Sequence, residues 1–211
     1  MKRPAFVAPS LPVLKSSPPR GGEWIHEVKF DGWRLQLHKE GDTVSLFGRR
    51  NSDLTKRFRS IHDAVVALPC RSAIIDAEVV VCDSDGKPDF SALMTRSTDN
   101  LCCWCFDLLS LDGLDFRMKP LRDRKACLRD LLVAADDDTL RYSDDFEDAE
   151  KLLAVAEKMG LEGIVSKKAD QRYVSGKNLG WIKVKTSAWR AANKNRFELF
   201  AKSKSSRPTE A

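Results

Sequence analysis

The chain has 211 residues, of which 42% are hydrophobic and 32% charged, and its net charge is +5. This length suits one domain, or one domain with extensions, and allows a sizeable hydrophobic core. The composition is ordinary for a soluble globular protein. No apolar run approaches membrane-spanning length, and the N-terminal sequence has no apolar signal core. We therefore expect neither a membrane-spanning nor an exported chain.

The first elements are an arm, three strands and a helix. Residues 1–22 are rich in proline and predict an irregular arm lying over the domain. Three strands are predicted to follow at 24–30, 33–38 and 43–48. Residues 54–68 have helical periodicity, and this helix is expected to end before Pro69.

The second half of the chain predicts strands and helices in alternation. Two long strands, "AIIDAEVVVCD" and "LCCWCFDLLSLDG", each end near an Asp-Gly turn. A helix is expected from near Pro120 through "LRDRKACLRDLLVAA", with Pro120 at its start. The next helix is predicted from Asp144 to Met159, with Asp144 and Glu147 as a capping box and Gly160 after its end. Strands return at "EGIVSKK" and "WIKVK".

These elements predict an α+β fold, because the strands occur in hairpins and not in regular βαβ units. Such a pattern favours two mainly antiparallel sheets with flanking helices. The expected organisation is an irregular arm over 1–22, a folded domain over 23–186 and a basic tail over 187–211.

The six cysteines are too few for a disulfide scaffold at this length. Cys102, Cys103 and Cys105 lie in "LCCWCF", which contains a formal C-x-x-C. No second Cys/His pair at zinc spacing follows, so reduced thiols in a buried strand are favoured over a metal site. Reduced thiols predict a cytoplasmic location.

The C-terminal tail concentrates the positive charge. Six basic residues from Arg190 to Arg207 face only two glutamates after Thr186, and Trp189, Phe197 and Phe200 are interleaved with them. This pattern suits a polyanion partner. A merely solubilising tail explains the charge equally well.

Alternation along strands groups charged side chains on one face. Glu27, Lys29 and Asp31 share a face of the first strand, Asp76 and Glu78 share a face of "IIDAEVVV", and Lys183 and Lys185 share a face of "WIKVK". For any one strand a half-solvated sheet with salt bridges would give the same pattern. The combination suits nucleotidyl transfer instead.

The chemistry of that transfer accounts for each residue type. A free lysine is almost fully protonated at neutral pH, and nearby cations and desolvation favour its neutral, nucleophilic form. Lys183 and Lys185 could act on Lys29 in this way and also hold phosphates, while Glu78 and Glu162 could hold Mg²⁺ or Mn²⁺. The sequence contains neither a P-loop nor a G-x-G-x-x-G motif.

Six motifs in this order resemble the covalent nucleotidyltransferases, which comprise ATP-dependent DNA ligases, RNA ligases and mRNA capping enzymes. They are "KFDGWR" (29–34), "FGRRNSDLT" (47–55), "IDAEVV" (75–80), "FDLLSLDG" (106–113), "EGIVSKK" (162–168) and "WIKVK" (181–185). The amino-acid sequences of these motifs are most similar to those of the ATP-dependent ligases of bacterial end-joining systems. The resemblance implies an ATP-grasp-like fold, ATP and Mg²⁺ or Mn²⁺ as cofactors, and nicked or broken double-stranded DNA as the partner.

The resemblance also implies roles for individual residues. Lys29 would carry AMP covalently, with Asp31 supporting its loop. Phe106 would stack on the adenine, although the residues alone fit a core phenylalanine as well. The other implied contacts are Glu27 beside the adenine, Arg34 and Arg49 on ribose and phosphate, Glu78 on ribose or metal, Glu162 on metal, and Lys183 and Lys185 on the α-phosphate.

The sequence departs from the family after "WIKVK", where an OB-fold domain usually follows. Only 26 residues follow Lys185. The expectation is therefore a minimal enzyme without an OB-fold domain, or one that receives an OB-fold or end-joining partner in trans. An RNA ligase and a non-catalytic DNA-end-binding subunit stay open as alternatives, although a decayed enzyme would be expected to lose Lys29, Glu162 or Lys183.

Overall fold

The computed structural model contains two β-sheets that meet at a shared apolar cluster. It describes residues 5–82 and 100–194. The first elements in chain order are β1 (Ser10–Leu14), β2 (Trp24–Lys29), β3 (Trp33–Glu40), β4 (Thr43–Gly48), α1 (Arg59–Ala67) and β5 (Ser72–Val81). The later elements are β6 (Leu101–Leu111), β7 (Leu114–Asp115), α2 (Leu121–Ala135), β8 (Leu140–Tyr142), α3 (Ala149–Lys158), β9 (Gly163–Lys168), β10 (Gly176–Lys185) and α4 (Ser187–Ala192).

Both sheets are mainly antiparallel, as expected, and each contains one parallel pair. The first sheet has the order β1-β10-β9-β2, and the second β4-β3-β5-β6-β7 with β8 also on β6. The β1–β10 and β6–β8 pairs are parallel, and the other pairs are antiparallel. Parallel neighbours need a long connection. Both pairs have one, because β1 and β10 lie at opposite ends of the domain and α2 separates β6 from β8. The α+β class itself is confirmed.

The helices cover the sheets with apolar faces of helical spacing. Ile61 and Val65 of α1 and Leu128 and Leu132 of α2 pack in one core with the strands of the second sheet. Helix α3 packs against the first sheet through a separate cluster that includes Ala149, Leu152, Ala156, Ile164 and Val184. A third cluster joins the two sheets and contains Ile74, Leu109, Phe106, Tyr173 and Trp181.

The N-terminal segment differs from the irregular arm that its prolines predict. It contains β1, which adds a fourth strand to the first sheet. The register of β1 on β10 shifts between Pro12 and Val13, at a proline that has no N–H to donate to a ladder. Beyond β10, the basic tail begins with helix α4, and residues 195–211 of the predicted tail lie outside the described residues.

Two helix starts were wrong, and backbone pairing explains both. Helix α1 begins at Arg59 because the N–H of Leu54 donates to the carbonyl oxygen of Leu46 in β4 (2.8 Å). Helix α3 begins at Ala149 because Phe146 and His26 exchange two backbone hydrogen bonds, which holds the preceding segment extended. Its N-cap is Asp148, whose side chain accepts from the Lys151 N–H, so the predicted Asp144–Glu147 capping box does not form.

Within 5–82 and 100–194, none of the helices has the length and apolar composition needed to cross a membrane.

Replacing Leu46 by alanine should destabilise the domain by about 2–5 kcal/mol, because the side chain is fully buried in the second-sheet core. The free energy of unfolding in urea measures this loss. Leu114→Ala is the matched control, since Leu114 is 64% exposed and its truncation should cost less than about 0.5 kcal/mol. Equal losses in the two variants would contradict the assigned core.

Candidate active site

Lys29 lies at the end of β2 with its ammonium group on a buried carboxylate. Its Nζ donates to Oε2 of Glu162 at 2.7 Å, and the two side chains are 20% and 5% exposed. The pairing of β2 with β9 brings Lys29 opposite Gly163, next to Glu162 in the chain. The sequence analysis predicted both residues for one site, and the structure joins them directly.

Lys185 approaches the same carboxylate from the other side. Its Nζ lies 2.8 Å from Oε1 of Glu162, because Lys185 in β10 pairs with Gly163 in β9. Gly163 has a φ of +152°, and a side chain there would collide with the carbonyl oxygen of Val184. Glycine at this position thus lets three strands meet around one carboxylate shared by two lysines.

Lys183 adds a third ammonium group to this end of the cleft. Partial burial lowers the pKa of Lys183, and the positive charges of Lys29, Lys185 and Arg49 lower it further, against the opposing effect of Glu162. Lys183, Lys185 and Arg49 therefore lie within electrostatic reach of one another, as the strand alternation predicts for the two lysines. A group of like charges of this kind favours an anionic ligand.

Glu78 faces this group from the second sheet. Burial raises the pKa of Glu78 to about 7, although Lys29 and Arg34 oppose the shift, and the charge of Glu162 adds to it. Oε1 of Glu78 accepts from the backbone N–H of Gly32 at 3.2 Å, in the turn that also carries Asp31. A side chain at Gly32 would collide with the carbonyl oxygen of Val79, so the close approach of this turn to β5 requires glycine.

The Glu78 and Glu162 carboxylates are suitable donors for a magnesium ion. Mg²⁺ in nucleotide sites is usually bound by one or two carboxylates, with phosphate oxygens and water as the other ligands. In the described ranges, no group of three or more His, Cys, Asp or Glu side chains converges. Glu78 and Glu162 therefore fit a metal ion whose other ligands are phosphate oxygens and water.

Glu27 is the centre of a second, fully buried ionic network. Its carboxylate accepts from Nζ of Lys167 on both oxygens (2.8 Å each), from Nζ of Lys125 (2.9 Å) and from Oγ of Ser143 (2.9 Å). Burial alone would raise the pKa of Glu27, but the charges and hydrogen bonds of the two lysines outweigh it and lower the pKa. Glu27 is thus held ionised, with all its acceptor positions in use.

Lys125 and Lys167 are site residues that the sequence analysis missed. Lys125 lies on α2, and in the sequence of an amphipathic helix a buried lysine cannot be told from one on the exposed face. Its Nζ also bonds the Ser143 carbonyl and Asp145. Strand alternation could have found Lys167, since Val165 and Lys167 both line the cleft. Lys167 also lies over the ring of Phe106, with Nζ 4.4 Å from the centroid.

Arg34 and Phe106 form the opposite wall of the cleft. The guanidinium of Arg34 binds both oxygens of Asp76 at 2.8 and 2.6 Å, and Tyr173 donates its hydroxyl to the same carboxylate at 2.8 Å. Arg34 also lies 5.2 Å from the Phe106 ring centroid, and Phe106 meets Trp181 edge to face. Asp76, predicted only to share a face with Glu78, therefore fixes the arginine.

These residues enclose a cleft with about 520 Å³ of empty space, part of it open to solvent. Five predicted site residues line it, namely Glu27, Lys29, Arg34, Glu78 and Phe106. Glu162 and Lys185 bond at its Lys29 end, Lys183 and Arg49 lie within electrostatic reach of each other, and Asp31 lies in the connection between β2 and β3.

Comparison with known proteins finds similarity over most of the chain. Residues 13–185 match the family model described as the ATP dependent DNA ligase domain. The multifunctional non-homologous end joining protein LigD of Pseudomonas aeruginosa is 39% identical over 187 residues, covering 86% of this chain and 22% of that protein. A probable DNA ligase of Beutenbergia cavernae is 38% identical over 193 residues, covering 86% of this chain and 38% of that protein.

Solved structures give the same result. A mycobacterial DNA ligase D complexed with ATP and MES superposes with a TM-score of 0.73 at 29% identity, covering 85% of this chain and 60% of that one. The Chlorella virus DNA ligase-adenylate has a TM-score of 0.60 at 15% identity, covering 86% of this chain and 69% of that one, and shares the fold. The chain spans well under half the length of the curated relatives named above.

Replacing Glu78 by glutamine should change the pH dependence of stability. The Glu78 pKa is about 7 in the folded protein and about 4.3 in an unfolded chain, so the folded state holds the proton more tightly. The stabilisation of the folded state by this bound proton is fully present below about pH 4 and is lost as the pH rises through 7. The free energy of unfolding of the wild type should therefore fall by about 3 kcal/mol relative to Glu78→Gln over this interval.

Urea unfolding of both proteins at a series of pH values measures the difference, in which the other titrating groups cancel. Parallel curves from pH 4 to 8 would contradict the raised pKa of Glu78.

Proposed function

Since the chain belongs to the family of ATP-dependent DNA ligase domains, we propose that it activates DNA ends through AMP carried on Lys29. The cycle has three steps: formation of lysyl-AMP from ATP, transfer of AMP to a DNA 5′-phosphate, and attack of a 3′-hydroxyl that seals the strand and releases AMP. The observation that carries this proposal is the Lys29–Glu162–Lys185 arrangement at the Lys29 end of a cleft that Arg34 and Phe106 also line.

The first step requires a neutral amine at Lys29. Its nitrogen attacks the α-phosphorus of ATP, a P–N bond forms, and the P–O bond to pyrophosphate breaks. The amine must first lose its proton to solvent. Lys183 and Lys185 nearby favour the neutral amine, whereas the ion pair with Glu162 at 2.7 Å favours the ammonium unless another cation occupies that carboxylate. The position of Lys29 on the rigid edge of a sheet, and not on a loop, holds the nucleophile in place for in-line attack.

The charges around Lys29 suit the phosphates. Lys29, Lys183, Lys185 and Arg49 give four positive charges against the carboxylates of Glu78 and Glu162. This excess favours binding of a triphosphate, with Lys183 and Lys185 on the α-phosphate and Arg49 at the open rim. Glu162 and Glu78 would hold Mg²⁺ or Mn²⁺, which would neutralise charge that develops on the phosphate oxygens.

The inner end of the cleft suits a purine base. The aromatic face of Phe106 is the element on which a base would stack, and Arg34, fixed by Asp76, would contact the ribose. The oxygens of Glu27 already accept four hydrogen bonds. Glu27 would therefore act on the base indirectly, through Lys167, which lines the cleft.

Nicked or broken double-stranded DNA is the proposed partner, and the cytoplasm is the proposed location. All six cysteines are free thiols, which supports a reducing compartment. Contacts to DNA by the residues after Thr186, and an OB-fold or end-joining partner in trans, stay predictions.

Lys29→Ala should abolish ATP-dependent sealing of a nicked duplex, with a loss of at least about 1,000-fold, because it removes the nucleophile of the first step. Gel analysis of a 5′-phosphorylated nick measures sealing. A nick that already carries AMP on its 5′-phosphate should still be sealed by the variant, since the last step needs no lysine nucleophile. ATP-dependent sealing by Lys29→Ala, or preference for an RNA nick in the wild type, would contradict the proposal.

Glu162→Gln should slow formation of the protein–AMP adduct about 100-fold or more, because it removes the carboxylate shared by the two lysines and by the proposed metal ion. The same variant should bind Mn²⁺ with the nucleotide more weakly, as measured by electron paramagnetic resonance. Glu23→Gln is the control, since Glu23 is an exposed partner of Arg122. Unchanged Mn²⁺ affinity in Glu162→Gln would remove Glu162 from the metal site.

A further inference from the structure

The chain beyond Lys185 turns directly back onto the active site. Helix α4 places the ring of Trp189 against Lys185, with Nζ 3.8 Å from the ring centroid. Trp189 is only 8% exposed and the Lys185 side chain 15%. An ammonium this close to an indole face, and partly removed from water, is held by a cation–π interaction.

Lys185 is therefore fixed from two sides. Glu162 holds the ammonium by an ion pair at 2.8 Å, and Trp189 supports it from the ring face. Lysine has a flexible four-carbon stem, so an ion pair alone leaves much of its conformational freedom. The ring restricts that freedom and leaves the ammonium directed at the group that contains Lys29 and Lys183.

Thr186 ties α4 to the residues just before β9, which include Glu162. Its hydroxyl donates to the carbonyl oxygen of Leu161 at 2.7 Å, and its backbone N–H donates to the carbonyl oxygen of Glu162 at 3.0 Å. The same hydroxyl oxygen accepts from the N–H of Trp189 at 3.3 Å, as an N-cap. The position of Trp189 is thus set relative to Glu162 by three hydrogen bonds.

Glu157 of α3 holds the start of α4 from the other side. Its carboxylate accepts from the backbone N–H groups of Ser187 (2.8 Å) and Ala188 (2.9 Å) and from the Ser187 hydroxyl. Those hydrogen bonds, the Ser187 hydroxyl first, lower the pKa of Glu157. A side chain on one helix thereby satisfies the free N–H groups at the start of the next.

We propose that Glu157, Thr186 and Trp189 form a clamp that positions Lys185 for a phosphate oxygen of the nucleotide. The inference rests on the proposed function of Lys185, and Trp189 is a positioning residue that acts through it. None of the three residues lies in the six motifs that identify the family. The segment that follows β10 is therefore part of the phosphate site and not merely a connection.

A pair of substitutions separates the aromatic face from simple packing. Trp189→Leu keeps an apolar side chain without a π face, and Trp189→Phe keeps a π face. In single-turnover formation of the protein–AMP adduct at saturating ATP and Mg²⁺, the Leu variant should react about 2- to 30-fold more slowly, the range expected for loss of a cation–π contact. The Phe variant should react within about 2-fold of the wild type.

The rate constant distinguishes positioning from folding. A purely structural defect would lower the amplitude of the reaction, which counts folded molecules, and leave the rate constant unchanged. Trp24→Leu is the matched control, because Trp24 is the first residue of the edge strand β2 and lies away from Lys185. A rate constant for Trp189→Leu equal to that of wild type, or a Phe variant as slow as the Leu variant, would overturn the inference.

A second readout does not depend on ATP. Reaction of lysines with acetic anhydride, followed by peptide mass spectrometry, reports how strongly each ammonium is held. Lys185 should react several-fold faster in Trp189→Leu and Glu157→Gln than in wild type, and at the wild-type rate in Glu150→Gln, whose carboxylate is exposed on the same helix α3. Unchanged Lys185 reactivity would overturn the clamp even if adenylation proceeds. Absence of any adduct in the wild type would instead overturn the proposed function of the site.

Discussion

The buried carboxylate of Glu162, shared between Lys29 and Lys185, is the interaction on which the site depends. Three strands must approach closely for this contact, and Gly163 permits it because no side chain could fit beside the Val184 carbonyl. Two ammonium groups on adjacent strands would repel each other without a carboxylate between them. The same carboxylate therefore stabilises the close approach of the three strands and takes part in the proposed chemistry.

Two ionic networks lie along one face of β2, and their charges differ. The network around Glu27 balances Glu27 and Asp145 against Lys125 and Lys167, with each polar group bonded. The network around Lys29 has more positive than negative charge. A balanced buried network gives a rigid wall, whereas an excess of positive charge at an open cleft favours an anion. Glu27 and Lys29, two residues apart on one strand, thus belong to a fixed part and a reactive part of the same cleft.

Much of this site could be predicted because strand alternation is local. The faces shared by Glu27 and Lys29, and by Lys183 and Lys185, follow from sequence alone, whereas Asp31 lies beyond the end of β2. The order of the six motifs identified the family. Lys125 could not be predicted, since its contact with Glu27 joins α2 to β2 across 98 positions. The start of α3 was wrong for a similar reason: the pairing of Phe146 with His26 is a tertiary contact that overrides the local capping signal.

The most direct test of the central claim is to find where AMP is attached. Wild-type protein incubated with ATP and Mg²⁺ should gain the mass of one AMP, and fragmentation of its peptides should place the group on Lys29. Lys29→Arg keeps the charge next to Glu162 but is not a nucleophile, and it should gain nothing. An adduct on any other residue, or on the Arg variant, would contradict the assignment of Lys29 as the carrier of AMP.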